Sequence, residues 1–175
     1  MPSHESRTNR DPGPEPTEPR WIASWLATAA VFAQIVLTIV LGTGDIAPFR
    51  YLGFGLWALA AVFGWVPIVQ FKRSGGVAAG DSYMETTRIV DTGLYAIVRH
   101  PQYVAWPLMA VAVALVSQHP IVVMLGAAAL VLSSIDFRKV DEQCIGKFGD
   151  EYRAYMQRVP AWNFLAGLWR WSNRR

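Results

Sequence analysis

The apolar residues of this chain fall into long blocks divided by short polar breaks, and that block length sets the first expectation. From Trp21 to Leu41 there is no charge, and Gln34 carries the only amide; about 20 helical residues are enough to cross the hydrocarbon of a bilayer. Gly42-Thr43-Gly44-Asp45 has the chemistry of a turn. A second uncharged block follows from Tyr51 to Phe71, with Pro67 inside it as a point of kinking. Two shorter blocks, Tyr103 to Ser117 and Ile121 to Ile135, are parted by Gln118-His119-Pro120. Each is short alone but reaches spanning length with its flanks, so a tight helical hairpin over about 101–117 and 120–137 is expected, with a re-entrant pair as the alternative.

Beyond Asp136 the pattern changes. Val140, Cys144, Phe148, Tyr152, Tyr155 and Val159 recur every three or four positions with charges between them, which predicts amphipathic helices over about 138–158 lying on the membrane face. Gly149-Asp150 reads as a helix stop followed by a new N-cap, and Pro160 as the end of the second piece. The polar interval from Lys72 to Arg99 is the longest inside the folded region, and a loop of that length is a place to look for function. Residues 1–20 are rich in proline and charge and poor in large apolar side chains, so a disordered tail is expected there, without the pattern of a signal peptide. The expected architecture is all-α: an integral membrane bundle of about four transmembrane helices, formed as one domain over 21–175, with a C-terminal amphipathic segment on its cytosolic face.

Composition agrees with a bilayer as solvent, since 53% of the 175 residues are hydrophobic and only 17% charged. A net charge of +3 taken alone is compatible with nucleic acid, but the basic residues flank apolar blocks instead of alternating with aromatics, which excludes that partner in favour of membrane lipids. Lys and Arg number three in the tail, one in the first connection (Arg50), four from Lys72 to Arg99, none between the last two blocks and eight from Arg138 onward. The positive-inside rule therefore puts both termini and the long loop in the cytosol, consistent with an even number of crossings. Cys144 is the sole cysteine, which excludes an intrachain disulfide and a cysteine-rich metal site and is expected to be a reduced thiol.

Two polar clusters remain as candidate chemistry. In Asp91-Thr92-Gly93-Leu94-Tyr95-Ala96-Ile97-Val98-Arg99-His100-Pro101-Gln102-Tyr103, Pro101 can begin a helix, so the free N–H groups at its start, Arg99 and His100 would all favour a bound carboxylate. In the second, Arg138, Asp141 and Glu142 share one helical face, where the acids suit an ammonium or ribose hydroxyls and the arginine orients them. Plainer readings exist for both: Arg99 as a positive-inside anchor, His100 as a helix-end cap, the second cluster as a solvated salt bridge, and Tyr152, Tyr155, Trp162, Trp169 and Trp171 as interfacial anchors. There is no metal-ligand spacing such as His-x-x-x-His, and no metal is expected.

The string Thr92 to Tyr103, followed by a hairpin and then Asp141-Glu142, Phe148-Gly149, Tyr152, Tyr155 and Val159-Pro160, resembles the isoprenylcysteine carboxyl methyltransferase and phospholipid methyltransferase superfamily over roughly Arg88 to Gly167. Leu94, where many members have proline, and Asp141, in place of the first acid of a commoner Glu-Glu pair, are mild departures. The resemblance implies methyl transfer from S-adenosylmethionine to a lipophilic acceptor such as a prenylated cysteine carboxylate or a phospholipid amine. It implies Tyr95, Val98, His100, Pro101, Tyr103, Asp141 and Glu142 as cofactor-binding positions, and Arg99, Arg138 and Glu142 as catalytic ones. The implied setting is a multi-pass protein of a bacterial or archaeal inner membrane.

Integral membrane sterol reductases, which bind NADPH, share a related Arg-His-Pro-x-Tyr hairpin and acidic pair, but carry more spans ahead of the motif than the two seen here. A non-enzymatic membrane subunit or permease would call for polar residues inside the spans, and the first two blocks have essentially none. Methyl transfer is the reading the residues favour.

Overall fold

A computed structural model describes residues 22–78, 80, 82, 86–135 and 137–173, with the backbone alone at 137–139. The tail expected to be disordered, 1–20, lies outside the described residues. Among the described residues the chain is helical without strands: α1 (Ile22–Leu41), α2 (Ala47–Ser74), a 3₁₀ turn (Gly93–Ala96), α3 (Pro101–Ser117), α4 (Pro120–Ser133), α5 (Phe137–Phe148), α6 (Asp150–Arg158) and α7 (Phe164–Ser172).

The element bounds show which local signals prevailed. α2 is longer at both ends than its uncharged block, because Pro48 fits a first helical turn and Lys72 and Arg73 favour the negative end of the helix dipole. α4 stops at Ser133, short of the expected 137. There the Ser133 and Ser134 hydroxyls donate back to the Ala129 and Val131 carbonyls, a local alternative that competes with helix continuation. Gly149, at φ +59°, divides α5 from α6 where expected, but it also takes the N-cap position expected of Asp150, which is instead the first residue of α6. The short amphipathic α7 was not anticipated; its start is marked by Asn163, whose side chain accepts from the Ala166 N–H at 3.1 Å.

α1 and α2 are each long and apolar enough to cross a membrane, and only 17% and 22% of their most apolar windows is buried within the protein. Trp25, Ile39 and Trp65 on these helices and Met124 on α4 stand exposed. An apolar exterior of this extent marks membrane association.

α3 is the central helix, packed against α2 on one side and against α1 and α4 on the other. Small residues permit the close approaches: a Cβ on Gly53 would meet the Ala112 carbonyl, and one on Gly126 would meet the Gln34 amide. That buried amide ties three helices together, Nε2 donating to the Ala110 carbonyl of α3 at 3.2 Å and the Val122 carbonyl of α4 at 2.8 Å.

The C-terminal elements fold back onto the start of α3. The Arg99 and His100 N–H groups donate to the Pro160 and Ala161 carbonyls at 2.9 and 3.1 Å. Phe164 packs edge-on against Phe63 of α2, and Gly167 lies so close to the Ile97 carbonyl that no side chain fits between them.

Candidate functional site

The segment before α3 is held from both sides. Gly93 takes φ +56° and faces the Gln70 amide, so both its backbone and its lack of a side chain are used. Gln70 brackets the turn, donating to the Thr92 carbonyl and accepting from the Leu94 N–H, each at 3.3 Å. Tyr95 is then buried with its ring stacked on Phe71, centroids 4.6 Å apart, and its carbonyl accepts from the Tyr155 hydroxyl at 2.6 Å. Pro101 starts α3 as expected, but the His100 carbonyl takes the N–H groups of both Tyr103 and Val104. The helix start thus offers a ligand fewer free donors than the sequence suggested.

Asp141 on α5 is the hub. Its Oδ2 accepts from Arg99 Nη2 at 3.1 Å, while its Oδ1 lies 2.7 Å from His100 Nε2 and accepts from the Tyr152 hydroxyl at 2.9 Å. Burial pushes the Asp141 carboxyl up, but the bond and charge of His100, the Tyr152 hydroxyl and the Arg99 charge together outweigh it and hold the group below its ordinary value. Burial first, then the neighbouring Cys144 and Asp141, pushes the Tyr152 hydroxyl up, so that it stays protonated and able to donate. Burial likewise raises the Cys144 thiol and the Tyr155 hydroxyl.

Arg99 is 9% exposed, and its Nε and Nη1 are buried without a partner among the described residues. Buried donors of a cation are rarely left unpaired, and Arg99 is one of the residues lining a cavity of about 260 Å³. Around it stand Phe71, Tyr95, Tyr103, Phe148 and Tyr152 as aromatic walls, with Arg88, His100, Gln143 and Lys147 as polar ones. A second cavity, about 740 Å³ and mainly apolar, lies against α3, α4 and the start of α7, lined by Pro107, Leu108, Val111, Leu130, Trp162 and Leu165 among others. Tyr103 lines both cavities, and Asp141 borders the second.

The expected residues do not all converge. Tyr95, Arg99, His100, Pro101 and Tyr103 line the first cavity, and Asp141 is bonded to two of them. Val98 is fully buried in an apolar cluster with Phe63 and Val104. Glu142 is exposed on the outer side of α5, and the Arg138 side chain lies outside the described residues. Tyr152 and Tyr155 are interior residues, not interfacial anchors, because their hydroxyls have buried acceptors to serve. Gln143, Lys147 and Phe148 were not singled out as site residues. The apolar stripe Val140, Cys144 and Phe148 was visible at helical spacing, yet that spacing cannot distinguish a core face from a cavity wall.

The family model for phospholipid methyltransferases matches residues 49–148, from the start of α2 to the end of α5. No curated protein and no solved structure matches the chain.

Proposed function

Since the chain belongs to the phospholipid methyltransferase family, we propose that it moves a methyl group from S-adenosylmethionine to a lipophilic acceptor at the cytosolic face of the membrane. The observation that carries this reading is the Arg99 guanidinium, fixed by Asp141 in the wall of an aromatic cavity, with two donors buried and unpaired among the described residues. Those donors fit the cofactor's α-carboxylate by charge and geometry type. The stacked Tyr95 and Phe71 pair, Phe148 and Tyr103 offer faces for its adenine. Bound there, S-adenosylmethionine supplies an electrophilic methyl group on a sulfonium.

The chain's own part is to hold two reactants in line and keep water away. Asp141, kept ionised, fixes Arg99 and orients His100 through Nε2. The larger apolar cavity takes the acceptor's chain, and Tyr103, which lines both cavities, is where the acceptor's polar end approaches the cofactor. An acceptor carboxylate attacks without help; an acceptor ammonium must first lose a proton, and His100 on its aspartate is the base placed for that. We assign the site's carboxylate role to Asp141 instead of Glu142. Four crossings, by α1 to α4 with both termini cytosolic, accompany this reading, and the clustering of basic residues supports that orientation.

Binding measurements on detergent-purified protein test the proposal. S-adenosylmethionine is expected to bind and NADPH not to; Arg99→Ala should weaken the affinity by about 10- to 100-fold, as loss of a charge-assisted pair does. Binding of NADPH alone, or an Arg99→Ala affinity equal to wild type, would overturn it.

A further inference from the structure

α7 has two apolar sides: one packs on the bundle, and the other is largely exposed among the described residues. Gly167 is buried against the Ile97 carbonyl and Phe164 rests on Phe63. On the outward side Leu165, Leu168 and Trp169 are 65%, 42% and 67% exposed, with Trp162 60% exposed just before the helix. After Glu151 the sequence contains five arginines (Arg153, Arg158, Arg170, Arg174 and Arg175) and no acid. An apolar helix face with interfacial tryptophans, set in a purely cationic segment, has the chemistry of a surface that seats on an anionic bilayer. It also borders the exposed apolar exterior of the bundle, since Phe164 of α7 packs on α2.

The same helix is wired to the site. Its approach segment accepts the Arg99 and His100 N–H groups at Pro160 and Ala161, and Trp162, Phe164 and Leu165 form part of the larger cavity's wall. We propose that α7 docks on the anionic lipid surface of the cytosolic leaflet, and that this docking holds the Arg99–His100 backbone and the mouth of the acceptor cavity in their working positions. The coupling to cofactor affinity rests on the function proposed above; the docking itself does not.

The full chain reconstituted in bilayers tests both parts. In a Cys144→Ala background, a nitrobenzoxadiazole label at Leu165→Cys should be quenched by brominated acyl chains. Quenching should be stronger with about one third phosphatidylglycerol than in phosphatidylcholine alone. S-adenosylmethionine affinity of the wild type should be about three- to tenfold higher in the anionic bilayer, since each arginine near such a surface favours docking of its segment by about fivefold and the docked segment braces the site. Leu165→Ser/Trp169→Ser should abolish that difference, and Arg170→Gln, an exposed change that leaves the apolar packing intact, should reduce it. Absence of quenching in both bilayers, or quenching indifferent to phosphatidylglycerol, overturns the docking, as does a label shielded by a second copy of the chain. Quenching with an affinity blind to lipid charge overturns the coupling. A wild type that binds no S-adenosylmethionine in any bilayer defeats the proposed function, while the quenching still decides the docking.

Discussion

At the α3–α4 turn, Gln118 meets the α1–α2 connection with both ends of its amide, Oε1 accepting from the Ile46 N–H at 3.1 Å and Nε2 donating to the Ile46 carbonyl at 2.9 Å. The Gly44 N–H and carbonyl are taken by the Val116 carbonyl and by Arg50 Nη1, each at 3.0 Å. At the opposite end of α3, Arg99 gives one nitrogen to Asp141 and keeps two buried and unpaired among the described residues. Both ends join distant parts of the chain through polar groups. The first is tied by bonds made within the protein, although the Ser117 hydroxyl beside it is buried without a partner among the described residues; the second leaves two donors of a buried cation unsatisfied there, which is costly unless a ligand accepts them.

The largest effect that sharpens this contrast is expected at Asp141. Asp141→Ala strands the buried Arg99 guanidinium and removes the acceptor of Tyr152 and His100. Removing one partner of a buried pair costs about 3–5 kcal/mol. Thermal unfolding in detergent should show a fall of several degrees, and S-adenosylmethionine binding should be lost. If binding survived at wild-type strength, Asp141 would not be the hub of a ligand site.

Next in size is Gly167→Val, which cannot coexist with the Ile97 carbonyl and so displaces α7. Overpacking of this kind costs about 1–3 kcal/mol. Because α7 and the Pro160-Ala161 segment brace Arg99 and His100, cofactor affinity should fall by about tenfold, read by titration calorimetry. Unchanged affinity would separate α7 from the site. At the other end, Gln118→Ala removes two exposed hydrogen bonds and should cost only about 1 kcal/mol, leaving cofactor affinity unchanged. An equal loss of affinity there would erase the distinction between the two ends.

Much of this contrast was legible in the chain, though unevenly. Blocks long enough to cross a bilayer announce α1 and α2, and a proline at the first helical position announces α3, because these signals are local. The Arg99-His100-Pro101 cluster was equally visible. Its partner was expected on the face of Arg138, Asp141 and Glu142 taken together, since spacing of three and four cannot rank neighbours. Only the fold-back of α5 onto the start of α3 selects Asp141 and leaves Glu142 exposed. The roles of Tyr152 and Tyr155 were hidden for the same reason: their acceptors, Asp141 and the Tyr95 carbonyl, lie 11 and 60 residues away. α7 escaped notice because nine residues of mostly apolar sequence with scattered tryptophans carry too little periodicity to separate a helix from an interfacial loop.

The smallest expected effect over the ordinary range is that of pH, and its sign again separates the two ends. The folded state lowers the Asp141 pKa from its ordinary 3.8, so unfolding raises its affinity for a proton. Its contribution to stability is therefore complete above 3.8 and disappears as pH falls through the lower folded value. Below about pH 4 the stability difference between wild type and Asp141→Asn should close. The clamp at the α3–α4 turn consists of amides, backbone groups and Arg50, none of which changes charge in that interval. Acid should accordingly loosen the site end first, and amide hydrogen exchange should accelerate at residues 95–104 while residues 44–50 and 116–118 remain protected. Simultaneous loosening of both ends would mean that the site does not depend on the Asp141 charge.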